Sequence, residues 1–457
     1  MLFRPREESW ADPRALGHDG TFSLHYVVEE DGVGIALGLA RSHDGVHWVD
    51  RDRILERREG VGALGVGGAF RAPTFEHDGR FLLALSERPI RGAALPAPVI
   101  RLAESHDLAE WRYLGNEYVF RPDPRWYRAE GNSVRWGDFC CLPRPTGGRY
   151  AYWTADPAGG EVGFGFGESM DCCHWRALPP PKIVWGDLPA PHTLRMGGVV
   201  RSRGRYHVFV EGQRAMRGES CVYHLMAERP GGPFSPAIRN TLMLSTTAPG
   251  GGVSLGVVET DDEALVIHLA TTCRGERWLA PLKRLTIAED GAWLTYWRGN
   301  DRLRGAPLRV TAESTVQGPT GLAITMLGGA YDVGAGLVLE GRWEGLPQQG
   351  SDAFRGAGFY VETAPGEGTG LLVPMRGETL AGPMSSGGES FSLEDAVDRH
   401  LEARSECAFR LLLRGELAEL YLDDILMNSI ALRGPATGRI GLVGAAVRDL
   451  RAHQLDL

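Results

Sequence analysis

Over residues 1 to about 300 the apolar positions come in short runs of five to eight, each closed by Gly, Asp or Pro. That pattern predicts short strands joined by tight turns. The runs recur in a common plan. Unit one passes through Trp10-Ala11-Asp12-Pro13, a turn at His18-Asp19-Gly20, a run from Phe22 to Val28, and IALGLARS. Unit two has Phe70-Arg71-Ala72-Pro73, the turn His77-Asp78-Gly79, FLLALSE and VIRLAES. Unit three has Trp136-Gly137-Asp138-Phe139, the turn Gly147-Gly148, RYAYWTA and VGFGFGES. Unit four keeps the turn Arg203-Gly204, YHVFVEG and YHLMAER, and closes on Pro-Gly-Gly-Pro-Phe at Phe234. Unit five is the weakest copy: GVSLGVVE, the turn Asp261-Asp262, ALVIHLAT and LKRLTIAEDGAW.

Three units end alike. Ser42-Asp44-Trp48, Ser105-Asp107-Trp111 and Ser169-Asp171-Trp175 share one spacing and start 63 and then 64 residues apart. A period of about 60 residues is too long for a solenoid turn and suits one four-stranded propeller blade with its loops. Five units therefore predict a five-bladed propeller over 1–304, a ring that protects strand edges. At each corner Ser and Asp are expected to tie the turn through side-chain to backbone hydrogen bonds, with Trp packed at the periphery. After Arg298 to Arg304 the corner disappears. Residues 305–457 become alternating runs such as LVLEGRWEG, GFYVETA, FRLLLRG, AELYLDD and RIGLVGA, which predict a sandwich. A short helix is expected within Ser392 to Arg399. The predicted class is all-β: a five-bladed β-propeller followed by a C-terminal, concanavalin-like β-sandwich.

Composition narrows the partners. With 457 residues, 62 Gly, 28 Pro and 12 Trp, the chain is long enough for two domains, rich in turns and in aromatic surface. A net charge of −9 without a basic stripe argues against nucleic acid. No apolar run approaches the roughly 18–20 residues of a membrane helix, so no membrane partner is expected. A neutral polar ligand fits better. Cys140-Cys141 and Cys172-Cys173 lack zinc-site spacing, and the total of seven is odd, so reduced, mostly buried thiols are expected. The start MLFRPREESWADP is charged where a secretory signal is apolar, which predicts a cytoplasmic protein. GGGVSLG at 250–256 reads as a glycine turn and not a phosphate loop. No cofactor and no metal is expected, and the pattern fixes no oligomeric state.

Candidate chemistry follows from the register. Counting back about ten residues from the aromatic taken to open each inner strand leads from Phe22 to Asp12, Phe81 to Ala72, Tyr150 to Asp138 and Tyr206 to Met196. Two carboxylates in different blades can hold a substrate between them, one as base or nucleophile and one as acid. Asp12 before Pro13 also suits a simple turn, and Asp138 a turn cap. Arg71, His192, Arg195 and Glu211 are candidates for binding substrate. Trp10, Trp126 and Tyr127 are candidates for stacking on a sugar face, with core packing an equal account.

These features resemble the five-bladed propeller glycosidases, the group containing glycoside hydrolase families 32, 43, 62, 68 and 130. The motifs that carry the likeness are Trp10-Ala11-Asp12-Pro13, Phe70-Arg71-Ala72-Pro73 and the repeated corners. The propeller-then-sandwich order, with FRLLLRGELAELYLDD in the tail, resembles family 32 most, the invertase, inulinase and levanase group. The resemblance implies that Asp12 is the nucleophile or base. It puts Ala72, beside a retained Arg71, where such enzymes carry the carboxylate of Arg-Asp-Pro. It implies a third-blade acid, normally Glu, for which Asp138 and Glu130 in Arg128-Ala129-Glu130-Gly131 both stand. The expected function is a glycoside hydrolase or transglycosidase acting on a small glycoside or oligosaccharide, fructosides and arabinosides included. The absent acid at Ala72 supports an alternative, a non-catalytic carbohydrate-binding protein on a degenerate glycosidase scaffold. An interaction propeller with no sugar ligand fits the aromatic and acidic channel less well.

Overall fold

The computed structural model describes residues 2–6, 9–72, 79–90, 98–131, 133–213, 220–244, 253–260, 263–318, 321–348 and 356–457. Pro73, His77, Asp78, the Asp261-Asp262 turn and the glycines at 250–252 lie outside the described residues. The fold is all-β, a five-bladed propeller followed by a β-sandwich. Four blades are separate four-stranded antiparallel sheets, and the fifth begins a larger sheet. The inner strands of blades one to five are Trp10–His18, Val61–Arg71, Trp136–Pro143, Leu194–Ser202 and Gly256–Glu259. Each lies beside the next and the fifth lies against the first, so the ring closes.

Phe22, Phe81, Tyr150 and Tyr206 lie at the start of the second strand of their blades, not the inner one. The residues counted back from them therefore fall within or at the end of the inner strands. Those strands crowd the axis closely. A Cβ on Gly67 would lie 2.8 Å from the backbone nitrogen of Phe139, so blade two can approach blade three only without a side chain there.

The cores lie between blades. Val27 and Leu37 of blade one meet Leu64 and Leu83 of blade two, and Phe70 and Leu82 meet Trp136 and Trp153 of blade three. At the corners Asp44 accepts from the backbone N–H of Val46 and His47 at 2.9 and 2.8 Å. Asp107 does the same with Ala109 and Glu110 at 2.8 and 2.9 Å, and Asp171 with Cys173 and His174 at 2.9 and 2.8 Å. Each corner indole returns its N–H to the same turn: Trp48 to Gly45 at 3.2 Å, Trp111 to Leu108 at 3.3 Å, Trp175 to Cys172 at 2.9 Å. The repeat is a self-bonded turn with a packed lid.

The ring is sealed by the chain start. Leu2 N–H donates to Leu279 O at 2.9 Å, and Leu279 N–H to Phe3 O at 2.8 Å. The Trp10 indole donates to Arg277 O at 3.0 Å. The outer strand of blade five, Ala292–Tyr296, continues into the sandwich through the pair Thr295 and Ile425. A second, seven-stranded sheet faces it across a core containing Trp343, Phe359 and Phe409. The segment expected as a helix holds the edge strand Asp395–Asp398, paired with Glu378–Ser385. Its period-two pattern buries Val397 between exposed neighbours, and pairing to a sheet edge overrides local helix preference. All seven cysteines are free thiols. Among the described residues no helix is long and apolar enough to cross a membrane.

Candidate active site

The inner strands of blades one to four each line two cavities. The upper one, about 420 Å³, is lined by Asp12, Ala63–Gly65, Arg135–Asp138, Thr193 and Arg195. The lower one, about 240 Å³, is lined further along the same strands by Ala15–His18, Gly68–Arg71, Cys140–Cys141 and Gly197–Val199. They are opposite mouths of the central channel. Arg14, 3% exposed, stands between them and donates to Pro13 O and Leu255 O at 3.1 Å each, and to Met196 O and Asp138 Oδ1 at 3.3 Å each.

A bulge aims the carboxylates. Pairing slips between Ala11 and Arg14 in blade one and opposite Trp153 in blade three, and Asp12 and Asp138 adopt positive φ of 53° and 48°. A bulge re-aims a side chain out of the alternation, and Asp tolerates the left-handed conformation better than most residues. Blade two slips between Val66 and Ala69, so its counterpart of Asp12 is Gly67. Ala72 lies past the strand's end, its N–H donating to Arg80 O at 3.0 Å across the hairpin. The expected equivalence of Ala72 was displaced because this hairpin connection is longer than its counterparts. Blade four slips between Met196 and Gly198, one residue after Arg195.

Arg195 joins the site. Its Nη2 donates to Asp138 Oδ1 at 2.9 Å and also to Asp12 Oδ1, and its Nε lies 3.2 Å from each Asp138 oxygen. Thr154 Oγ1 donates to Asp138 Oδ2 at 2.9 Å. Burial works against the Asp138 anion, but Arg195 and Arg14 outweigh it and hold the carboxyl below the usual range. Burial likewise opposes the Arg195 cation, and Asp12, Asp138 and Glu211 together keep it firmly protonated. Because both oxygens accept from one nitrogen, they are no more than about 6 Å apart, two hydrogen-bond lengths.

Glu211, paired with Arg195 in register, is 8% exposed and accepts from the N–H groups of Val253 and Ser254 at 2.6 and 3.2 Å. It thereby presents Ser254, whose Oγ accepts from Arg195 Nη1 at 3.2 Å. Glu211 supports the site from behind and does not line the cavity. Arg14, Thr154, Ser254 and the cavity-lining Glu29 were not anticipated. Only Arg14 carried a signal, following the Asp-Pro pair directly.

The other candidates are not brought to this cavity. Glu130 and His192 are exposed and line neither cavity. Arg71 lines the lower mouth. Trp10 is 1% exposed and packs edge-on to Tyr26, its rings 5.6 Å apart. Tyr127, also 1% exposed, donates to Leu178 O at 2.7 Å and accepts from Phe166 N at 3.0 Å. Trp126 is half-buried with Arg125 over its ring at 6.0 Å. Trp10 and Tyr127 are packing elements, since both are buried in the core, and Trp126 lines neither cavity. Trp136 is the aromatic that lines the upper cavity among the described residues.

No protein-family model matches the chain, and no curated protein does. Solved structures do. The sucrose-6-phosphate hydrolase of Lactobacillus gasseri superimposes with a TM-score of 0.72 at 13% identity, covering 98% of this chain and 91% of that one. Fructan 1-exohydrolase IIa of Cichorium intybus, solved with 1-kestose, gives 0.67 at 14% identity, covering 99% and 96%. A fructofuranosidase of Schwanniomyces occidentalis in complex with fructosylnystose gives 0.68 at 10%, covering 100% and 97%. At these identities the likeness establishes the fold, propeller and sandwich together.

Proposed function

We propose that the upper cavity binds a small neutral glycoside and that Asp12 and Asp138 act on it, the chain being a glycoside hydrolase or transglycosidase. The observation that carries this reading is two ionisable carboxyls from different blades on one guanidinium nitrogen at the channel mouth. With these oxygens no more than about 6 Å apart, the two carboxyls leave no room between them for an inverting water, which needs roughly 6.5–9.5 Å. Asp12 would attack the anomeric carbon as the bond to a leaving group that departs as an anion breaks, and water or an acceptor hydroxyl would then cleave the glycosyl ester and free the carboxylate, while Asp138 and Arg195 hold ring hydroxyls. A cavity of about 420 Å³ matches one or two sugar rings. The structural neighbours are described as acting on or holding sucrose phosphate, kestose and fructosylnystose, so β-fructosides head the substrate panel.

Both carboxyls are engaged by Arg195, and the only other acid lining the cavity among the described residues is Glu29, which is bound to Arg277 at 2.7 Å. A glycoside whose leaving group needs no proton is therefore the better substrate. Aryl fructosides and glycosyl fluorides should turn over faster than sucrose or 1-kestose, and Asp12→Asn should lose at least ~10²-fold in rate. Full activity in both Asp12→Asn and Asp138→Asn variants refutes the site.

The same bridge favours a second reading, a non-catalytic sugar-binding protein. It predicts saturable thermal stabilisation by a fructoside, weakened in Asp12→Asn, with no product after prolonged incubation.

A further inference from the structure

The lower mouth of the channel differs in kind from the upper one. Among its described lining residues are Arg14, Arg71, Arg149 and His18, and no Asp or Glu. The whole chain carries a net charge of −9, so this concentration of three guanidinium groups runs against the molecule's overall field. At about 240 Å³ the cavity is smaller than the roughly 300–1,000 Å³ typical of pockets for drug-sized ligands, and suits a small ion.

The basic side chains are held in place. Arg149 Nη2 donates to the carbonyl of Arg71 at 2.9 Å, and its guanidinium lies 5.3 Å from the centre of the Phe70 ring. His18 packs edge-on to Phe81 with ring centres 4.9 Å apart, and its Nε2 lies 3.2 Å from Asp19 Oδ2. Beneath them, Arg14 is 3% exposed, and its Nε is a buried donor without a hydrogen-bond partner among the described residues. A buried N–H left unmade is costly and calls for an acceptor.

We propose that this lower mouth is a second binding site, for a small oxyanion of the phosphate class, either inorganic phosphate or the phosphoryl group of a phosphorylated metabolite. Arg71 and Arg149 would take the oxygens at the rim, with the Arg14 side chain at the floor. The site lies on the opposite face from the Asp12–Arg195–Asp138 cluster and is independent of whether that cluster is catalytic.

The test is isothermal titration of the full chain with inorganic phosphate at constant ionic strength, with sodium chloride as control and glucose 6-phosphate against glucose as a second pair. Phosphate should bind saturably and chloride should not. Glucose 6-phosphate displacing phosphate with higher affinity assigns the ligand to a phosphorylated metabolite, and weaker binding assigns it to the free ion. Arg71→Glu, an exposed change at a strand end, should weaken phosphate at least tenfold, and Arg71→Ala should do so to a lesser degree, with unchanged circular dichroism. Asp12→Asn should bind phosphate as the parent does. Absence of saturable binding, equal binding by chloride, parental affinity in Arg71→Glu, or loss in Asp12→Asn overturns the proposal.

Discussion

Replacing Lys283 by Met should unlock the joint between propeller and sandwich. Lys283 lies in the blade-five strand Lys283–Ile287 and Glu419 in the sandwich strand Leu417–Leu422, both at 0% exposure. The ammonium donates to Glu419 Oε1 and to Pro281 O at 2.7 Å. Glu419 also accepts from Tyr421 Oη at 2.8 Å and Ser429 Oγ at 3.1 Å, with His268 Nε2 3.6 Å away. Burial disfavours the Glu419 anion, but Lys283 and His268 more than offset it and bring its pKa from 4.5 to about 2. That difference corresponds to roughly 3 kcal/mol of linkage. Because the folded value is depressed, this stability is present above pH 4.5 and is lost as pH falls toward about 2. Burial also lowers the Lys283 pKa, so the ion pair as a whole is worth little, while half of it left alone is expensive. Lys283→Met should therefore lose about 3–5 kcal/mol at pH 7.5, the range for an isolated buried charge. The deficit should shrink toward pH 5, because a proton on Glu419 or on His268 neutralises the defect. The Lys283→Met/Glu419→Leu pair should regain most of the loss, to within about 1–2 kcal/mol of the parent, as buried ion pairs replaced by apolar groups do. Urea unfolding followed by tryptophan fluorescence at both pH values reads all three. A single variant within about 1 kcal/mol of the parent, or a double variant no better than the single, refutes the reasoning.

Two further outcomes concern the site itself. Arg195→Ala leaves Asp12 and Asp138 facing each other with Arg14 alone. It should lose about 3–5 kcal/mol at pH 7.5, a deficit that narrows at pH 4.5 as the Asp138 carboxyl, no longer held down, takes up a proton; urea melts at the two pH values measure this. Tyr127→Phe removes one donated and one accepted hydrogen bond and should destabilise by about 1–3 kcal/mol, leaving any sugar-induced thermal shift unchanged; a lost sugar response would return that ring to the binding surface.

What could be read in the chain was whatever is written over short distances. The three corners repeat because Asp44, Asp107 and Asp171 bond to N–H groups two and three positions ahead, a contact that fixes its own spacing. The same periodicity delivered Asp12 and Asp138 at matching bulges. Blade two went astray because its hairpin differs in length, which moved the matching position from Ala72 to Gly67. Trp10 and Tyr127 were ambiguous because an aromatic beside a channel and an aromatic in a core look alike in sequence. The Arg195–Asp12 contact spans 183 positions, and no local pattern announces a bond of that reach. The helix expected before Arg399 failed for a related reason, since a four-residue strand is decided by the edge it meets.

The inner-strand bulge separates the conserved geometry of the ring from its chemistry. Blades one and three place an Asp there at positive φ, blade two a Gly, and blade four Gly197, two residues after Arg195. A left-handed non-glycine residue stores of order 1–3 kcal/mol of strain, least for Asp and Asn, and persists only where the surroundings over-determine it. Here Thr154, Arg14 and Arg195 hold Asp138, and Arg195 holds Asp12. The corners, by contrast, bond within themselves and ask nothing of the channel. The scaffold can therefore stay constant while a single side chain per blade changes what the mouth does. In this chain the decisive choice is the cation in blade four. It draws two carboxylates from different blades onto one nitrogen, and across the described lining Asp12, Glu29 and Asp138 are balanced by Arg88, Arg135 and Arg195, so the upper mouth is neutral in sum, which suits a sugar rather than an anion. The lower mouth, with Arg71 and Arg149 at its rim and no carboxylate among its described residues, has the opposite character. One ring of five strands thus carries two ends of different polarity, with Arg14 lining the lower one and bonded to Asp138 of the upper.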